Sequence, residues 1–229
     1  MKILALDTAT EACSVALVHG TRLWTRELEL QRGHSERILG MIEDVLSTAE
    51  LTLAGLDGLA FGRGPGAFTG VRLAASIAQG LAFAAGLPVV PVSDLRAIAQ
   101  RVLFEVESAA SVLVASDARM HEVYWAWYGR GADGLAEALT PEAVGSPDRV
   151  ALIEAAPPRI GAGRGFRAYP QLGQRLAAAL EGVRDDLLPR AEEMARIGAI
   201  ELASGRGVSA EEAVPHYLRD EVARIPSRE

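Results

Sequence analysis

Residues 62–70 read GRGPGAFTG, four glycines and a proline in nine positions, directly before an alanine-rich stretch that starts at Val71. A glycine loop that opens a helix presents unpaired backbone N–H groups at the positive end of the helix dipole, which is phosphate-cradling chemistry. The spacing fits neither G-x-x-x-x-G-K-[ST] nor a well-placed G-x-G-x-x-G, and Pro65 removes one donor. Three uses stay open for the loop: cradling a phosphate, building an active site, or letting two backbones touch. Lys2, at the start of the first strand, is the only lysine among 23 basic residues. That removes a Walker lysine, a Schiff-base lysine and a Ser-Lys dyad. Ser14, Ser35 and Ser93 sit in no G-x-S-x-G elbow. His19, His34, His121 and His216 are scattered without metal-ligand spacing and read as surface or capping residues. The single cysteine, Cys13, allows neither a disulfide framework nor a multi-thiolate zinc site, which points to a reducing compartment.

The elements that position these residues follow from hydrophobic patterning. KILALDT (2–8) is a near-continuous apolar run ending in Asp7, the pattern of a strand buried on both faces. Runs 12–20 and 22–30 add two strands around a turn at Gly20-Thr21. Apolar residues at 38, 39, 42, 45, 46 and 49 have helical spacing, with Ser35 as the expected cap. A strand at 57–62, the glycine loop, a helix over 71–85, a strand at 88–92 and a helix capped by Ser93 complete the order β-β-β-α-β-α-β-α. This is the half-domain plan of ribonuclease H and of actin-like proteins, a mixed sheet with helices on its faces. After residue 107 the pattern restarts with strands at 111–119 and 122–130, and Asp117 is placed much like Asp7. The expected α/β organisation is therefore two half-domains, 1–107 and 108–229, with a last helix over 189–204 and a frayed polar tail.

The helix over 71–85 is apolar nearly all round, with alanines at 74, 75, 78, 82 and 85. One side should lie on its own sheet; the other should be covered by the chain folding back or by a partner helix, which small side chains admit closely. Met41 on the helix at 35–49 adds apolar surface to the same patch. A net charge of −7 argues against gripping nucleic acid alone. The N-terminal apolar run is too short for a signal peptide, and no run of 18 apolar residues is present, so a cytosolic protein with no membrane span is expected.

The stretches ILALDTAT (3–10), GHSERILGMIEDVL (33–46), residues 62–95, SDARMHEVYWAWY (116–128) and VPHYLRD (214–220) resemble the bacterial TsaB (YeaZ) family across nearly the whole chain. The resemblance implies the actin-like (ASKHA) fold with two ribonuclease-H-like halves. It also implies a role in forming N6-threonylcarbamoyladenosine (t6A) at position 37 of tRNAs that read ANN codons. Members pair with the paralogue TsaD, which transfers the threonylcarbamoyl group, and recruit the ATPase TsaE. They are scaffolds rather than catalysts, so this chain is expected to reach tRNA only through the complex; without its partner, the apolar helical patch is expected to pair with itself in a homodimer. The catalytic paralogue carries H-x-x-x-H after the strand that here reads PVVPV; those places fall at about Asp94 and Ile98, and isoleucine cannot ligate a metal.

From this reading the expected partner interface is Ser35, Ile38, Ile42, Arg72, Ala75, Ala78, Gln79 and Ala82, with Ala78→Arg expected to abolish partner binding in a folded chain. Gly64, Pro65, Gly66, Phe68, Thr69 and Gly70 shape the loop, Phe68 filling an apolar pocket and Thr69 or Ser76 satisfying loop backbone groups. Actin-like folds hold nucleotide phosphates after the first strand, and the matching positions are Asp7, Thr8 and Thr10, without the glycine that closes such a hairpin; an aspartate bonding its own turn is the plainer alternative. GAGRG (161–165) is an adenosine-contacting turn or a surface loop, and Asp117 with Arg119 a phosphate clamp or an ion pair at the domain junction. No metal or cofactor is expected on this chain alone, with ATP and Mg²⁺ belonging to the assembled complex. Two other classes compete: an actin-like small-molecule kinase, which needs phosphate loops in both halves, and a metallopeptidase, which needs a metal site.

Overall fold

The computed structural model describes residues 1–219; of the tail from Ser209 expected to fray, residues 209–219 are described, His216 and Tyr217 being hydrogen-bonded to Arg63 and Arg72, and residues 220–229 lie outside the described residues. The first sheet contains β1 (Lys2–Asp7), β2 (Ala12–His19), β3 (Arg22–Glu29), β4 (Gly58–Gly62) and β5 (Val89–Val92), in the order β3-β2-β1-β4-β5. β1, β2 and β3 form the antiparallel meander, and β4 and β5 continue from β1 in parallel. The second sheet contains β6 (Ser111–Arg119), β7 (Glu122–Arg130), β8 (Ala136–Ala138), β9 (Ala143–Gly145), β10 (Arg159–Ala162) and β11 (Gly182–Arg184). Its order is β11-β10-β6-β7-β8, with β9 also paired to β7. This is the actin-like α/β architecture, two mixed sheets flanked by helices.

Alternation explains why β1 looks uniformly apolar. Leu4 and Leu6 face one layer with Cys13, Val15 and Leu17 of β2, whereas Ile3 and Ala5 face the other with Ala16 and Val18. Both faces are covered, so both sets are apolar. The first layer is closed by α1 (His34–Thr48) and α2 (Phe68–Ala85). α1 contributes Ile38, Met41, Ile42 and Val45, each such burial worth about 1.5–3 kcal/mol. α2 contributes Val71, Ala74, Ala75, Ala78 and Ala82, whose small side chains let the helix lie close on β4 and β1. By length and mean hydropathy α2 could cross a bilayer, yet this face belongs to the core.

The two remaining long helices cross between the halves. α3 (Asp94–Glu105) sends Leu95, Ile98, Val102 and Leu103 into the core of the second sheet. After the short α4 (Gly165–Ala168) and α5 (Pro170–Leu176), α6 (Ala191–Ala203) returns to the first sheet and packs Ala191, Met194, Ala195 and Ile197 on Ile3 and Ala5. The first sheet is drawn from residues 2–92 and the second from residues 111–184, and each lends the other a helix that covers it. Ser14 on β2 fixes the return: its Oγ accepts a 2.9 Å hydrogen bond from the Ala191 N–H, capping α6 from another element.

Ser93 caps α3 as expected, its Oγ accepting from the Arg96 N–H at 3.2 Å. Two other helix starts differ from expectation. Ser35 does not cap α1: the helix opens one residue earlier after Gly33, whose φ of 90° suits glycine. α2 opens at Phe68, so Phe68, Thr69 and Gly70 form its first turn.

Candidate functional site

A cavity of about 610 Å³ lies between the sheets at the carboxyl ends of β1 and β6. Its walls are the turn after β1, the start of α1, the turn into α2, the end of β6, Arg164, and residues 216–219. This is where a ligand-binding crevice belongs in an open α/β sheet.

The glycine loop answers the third of its three readings. A Cβ on Gly66 would come within 2.5 Å of the Ala9 carbonyl oxygen, and one on Gly70 still closer to that of Thr8. Ala67 N–H donates to the Ala9 carbonyl at 2.7 Å, and Thr8 Oγ1 donates to the Gly70 carbonyl at 2.6 Å. The turn after β1 and the turn into α2 are thus locked backbone to backbone, and no side chain larger than hydrogen fits between them. Gly64 has a φ of 101° and lies against the His216 carbonyl. Pro65 follows it through a cis peptide.

Asp7 is fully buried and does not reach the cavity; its Oδ1 accepts from the Ala9 N–H at 2.9 Å. Among the three candidate nucleotide contacts, Thr8 spends its hydroxyl on Gly70 and only Thr10 is partly open to the cavity. Behind Gly62, Asp7 meets Asp94, also buried, whose Oδ2 accepts from the Gly64 N–H at 2.6 Å. Burial raises the Asp7 carboxyl to about 6. Burial first, and then the charge of Asp7, hold Asp94 well above the usual carboxylate range.

The opposite wall carries paired charges. Arg119 donates to Asp117 at 2.8 Å and, across the junction, to Glu11 at 2.7 Å. Tyr169 donates to Asp117 Oδ1 at 3.2 Å. Arg164 makes two 2.8 Å bonds to Glu29, which pull that carboxyl below its ordinary value. Of the two readings of Asp117 and Arg119, the ion pair at the junction is the one formed. GAGRG is no surface loop, since Gly163 and Gly165 are buried against Ala115 of β6.

Residues 216–219 cross the cavity mouth, a feature the quoted VPHYLRD stretch marked only by its family likeness. The His216 N–H donates to the Arg63 carbonyl at 2.8 Å, and Arg72 Nε donates to Tyr217 Oη at 2.7 Å. The Arg72 guanidinium lies 3.5 Å above the Phe68 ring, so Phe68, expected in an apolar pocket, is 41% exposed beneath an arginine. Thr69 and Ser76 are exposed, and the loop's polar groups are met by Thr8 and Asp94 instead. His34 reaches the Thr10 carbonyl at 3.0 Å, and His34 and His216 both line this cavity. Among the described residues no three His, Cys, Asp or Glu side chains gather as metal ligands.

The expected partner interface divides by burial. Ile38, Ile42, Ala75, Ala78 and Ala82 lie inside the chain's own core, because the alanine stripe is the face α2 turns to its sheet. They form no docking surface, and Ala78, 0% exposed, has no room for arginine in a folded chain. Ser35 and Arg72 are exposed and Gln79 is partly so. The outward sides of α1 and α2 carry Leu39 at 57% exposure and Phe83 at 77%.

Sequence and structure comparisons give the family. Residues 28–227 match the family model TsaD, tRNA N6-adenosine threonylcarbamoyltransferase. The chain is similar to the tRNA threonylcarbamoyladenosine biosynthesis protein TsaB of Escherichia coli, with 42% identity covering 100% of both chains. It is 43% identical to the protein of that name from Haemophilus influenzae, over 100% of this chain and 99% of that one. A solved Pseudomonas aeruginosa protein, described as similar to peptidase YeaZ, superposes with a TM-score of 0.87 at 44% identity, covering 95% of this chain and 99% of that chain. A match at 10% identity and a TM-score of 0.51, component A of an Acidaminococcus fermentans (R)-2-hydroxyglutaryl-CoA dehydratase, shares the fold alone. Full-length identity above 40% to curated relatives, together with the family-model match, establishes that the chain belongs to the TsaB family of tRNA threonylcarbamoyladenosine biosynthesis proteins.

Proposed function

We propose that the chain is a non-catalytic subunit in t6A formation at position 37 of tRNAs reading ANN codons, pairing with a TsaD transferase and recruiting the TsaE ATPase. The observation that carries the non-catalytic reading is the pair of residues where the paralogue has metal-binding histidines. Asp94 and Ile98 are both buried there, one bonded to Gly64 and the other in the core of the second sheet. The glycines of both loops are spent on backbone packing, which argues against a kinase that uses them as phosphate cradles.

The pairing surface in this reading is the outward side of α1 and α2: Ser35, Leu39, Arg72, Ser76, Gln79 and Phe83, with Gly40 and Gly80 permitting close approach. Two large apolar side chains on adjacent exposed helices suit a helical partner. The same surface serves a homodimer when TsaD is absent, so the two assemblies exclude each other. ATP and Mg²⁺ act in the assembled complex, tRNA is reached through it, and the setting is the cytoplasm. The test is a reconstitution with TsaD, TsaE, tRNA, ATP and threonylcarbamoyl-AMP. Omitting this chain should abolish t6A formation, and undiminished product without it would overturn the proposal.

A further inference from the structure

The Asp7 and Asp94 carboxyls meet where the two sheets are joined. Asp7 ends β1, in the first sheet; Asp94 opens α3, whose body packs on the second. Each carboxyl has one oxygen on a backbone amide: Asp7 Oδ1 on Ala9 N–H and Asp94 Oδ2 on Gly64 N–H. The remaining two, Asp7 Oδ2 and Asp94 Oδ1, are buried and have no donor. The Gly62 backbone packs against both carboxyls, where a Cβ would collide with each. The other titratable and charged groups about the pair are the Cys13 thiol of β2 on the Asp7 side and Glu142 on the Asp94 side. Glu142 is itself occupied by Arg63, Ser93 and Tyr128. Among the described residues no cation reaches the two unpartnered oxygens, and two buried, adjacent carboxyls without a counter-charge resist joint ionisation, which favours a proton held by the pair.

We propose that Asp7 and Asp94 share one proton and form a pH-sensitive latch tying the end of β1 to the start of α3, and so one sheet to the other beneath the cavity. The amides donating to Asp7 and Asp94 belong to the two turns that are locked together, so the latch holds the cavity floor as well. Its loss leaves two negative charges in a site without a counter-charge, which drives α3 away from β1. Both carboxyls are raised above their unfolded values, so the folded chain holds protons that the unfolded chain has released. Stability from the pair is complete below about pH 4 and is lost as pH rises through 6 and beyond.

Asparagine tests this without changing shape. In Asp94→Asn the amide oxygen keeps the Gly64 N–H, and the amide nitrogen replaces Oδ1 and donates permanently to Asp7. Asp7→Asn does the reverse. The infrared difference spectrum between wild type and either variant at pH 7 should show the carbonyl stretch of a protonated carboxylic acid in wild type only. The unfolding temperature of Asp94→Asn should exceed that of wild type by about 4 °C or more at pH 8, the two converging toward pH 4. In wild type alone, hydrogen-exchange protection at Ala9 and Gly64 should fall as pH rises, beyond the intrinsic pH dependence of exchange. A wild-type spectrum with only ionised carboxylates at pH 7, or amide protection indifferent to pH, would overturn the latch whether or not the variants fold.

Discussion

The two halves place an aspartate at the same point, the carboxyl end of a central strand, and press a glycine pair against the backbone beside it. Gly66 and Gly70 pack on Ala9 and Thr8 beside Asp7, and Gly163 and Gly165 pack on Ala115 near Asp117. The chemistry nevertheless diverges. Asp7 is sealed with a second carboxyl and no cation, whereas Asp117 opens on the cavity and meets Arg119 and Tyr169. The difference arises from what arrives next to each strand end. Gly62 lets the first turn of α3 reach Asp7, while the irregular end of β6 brings its own last residue, Arg119, to Asp117. A shared backbone plan thus leaves one acid sealed in the structure and one half-buried at the cavity wall, and an actin-like fold alone does not establish phosphate chemistry.

Four perturbations would break or sharpen this comparison. If the glycine pairs serve close backbone approach in both halves, Gly70→Val and Gly163→Val should each cost more than about 4 kcal/mol in denaturant unfolding, since neither site has room for a side chain. A mild loss in one half would end the parallel. At pH 8, Asp7→Asn should stabilise by about 1–3 kcal/mol, as an amide donor replaces an unpaired buried acceptor, with the gain shrinking toward pH 4. Asp117→Asn should change stability by less than about 1 kcal/mol, because the Arg119 side chain is 72% exposed and the ion pair is solvent-screened. Gly80→Ala, on the open side of α2 with nothing near its Cβ position, should stabilise the chain by about 1 kcal/mol through helix propensity.

Alternation and turn chemistry made the strands legible: those expected at 111–119 and 122–130 are observed at those bounds. The cap at Ser93 was equally readable, because a hydroxyl before a helical run has one common use. The alanine stripe of α2 misled for a physical reason. Small side chains permit close approach to a sheet or to a partner helix alike, and periodicity tells which residues share a face but not what covers it. Asp7 and Asp94 were each visible as residues at element ends, yet their meeting depends on β4 and β5 lying parallel beside β1 and on a glycine between them. Phe68 was misassigned because its covering arginine comes from one turn along α2 and its neighbour Tyr217 from the far end of the chain.

The central claim is that the outward side of α1 and α2 joins this chain to TsaD, and light scattering after size-exclusion chromatography tests it most directly. Wild type should run as a homodimer alone and as a one-to-one heterodimer with TsaD. Phe83→Arg, a change at an exposed position, should leave a folded monomer that joins neither assembly. A Phe83→Arg chain that still forms both, or a wild-type monomer that ignores TsaD, would contradict the account.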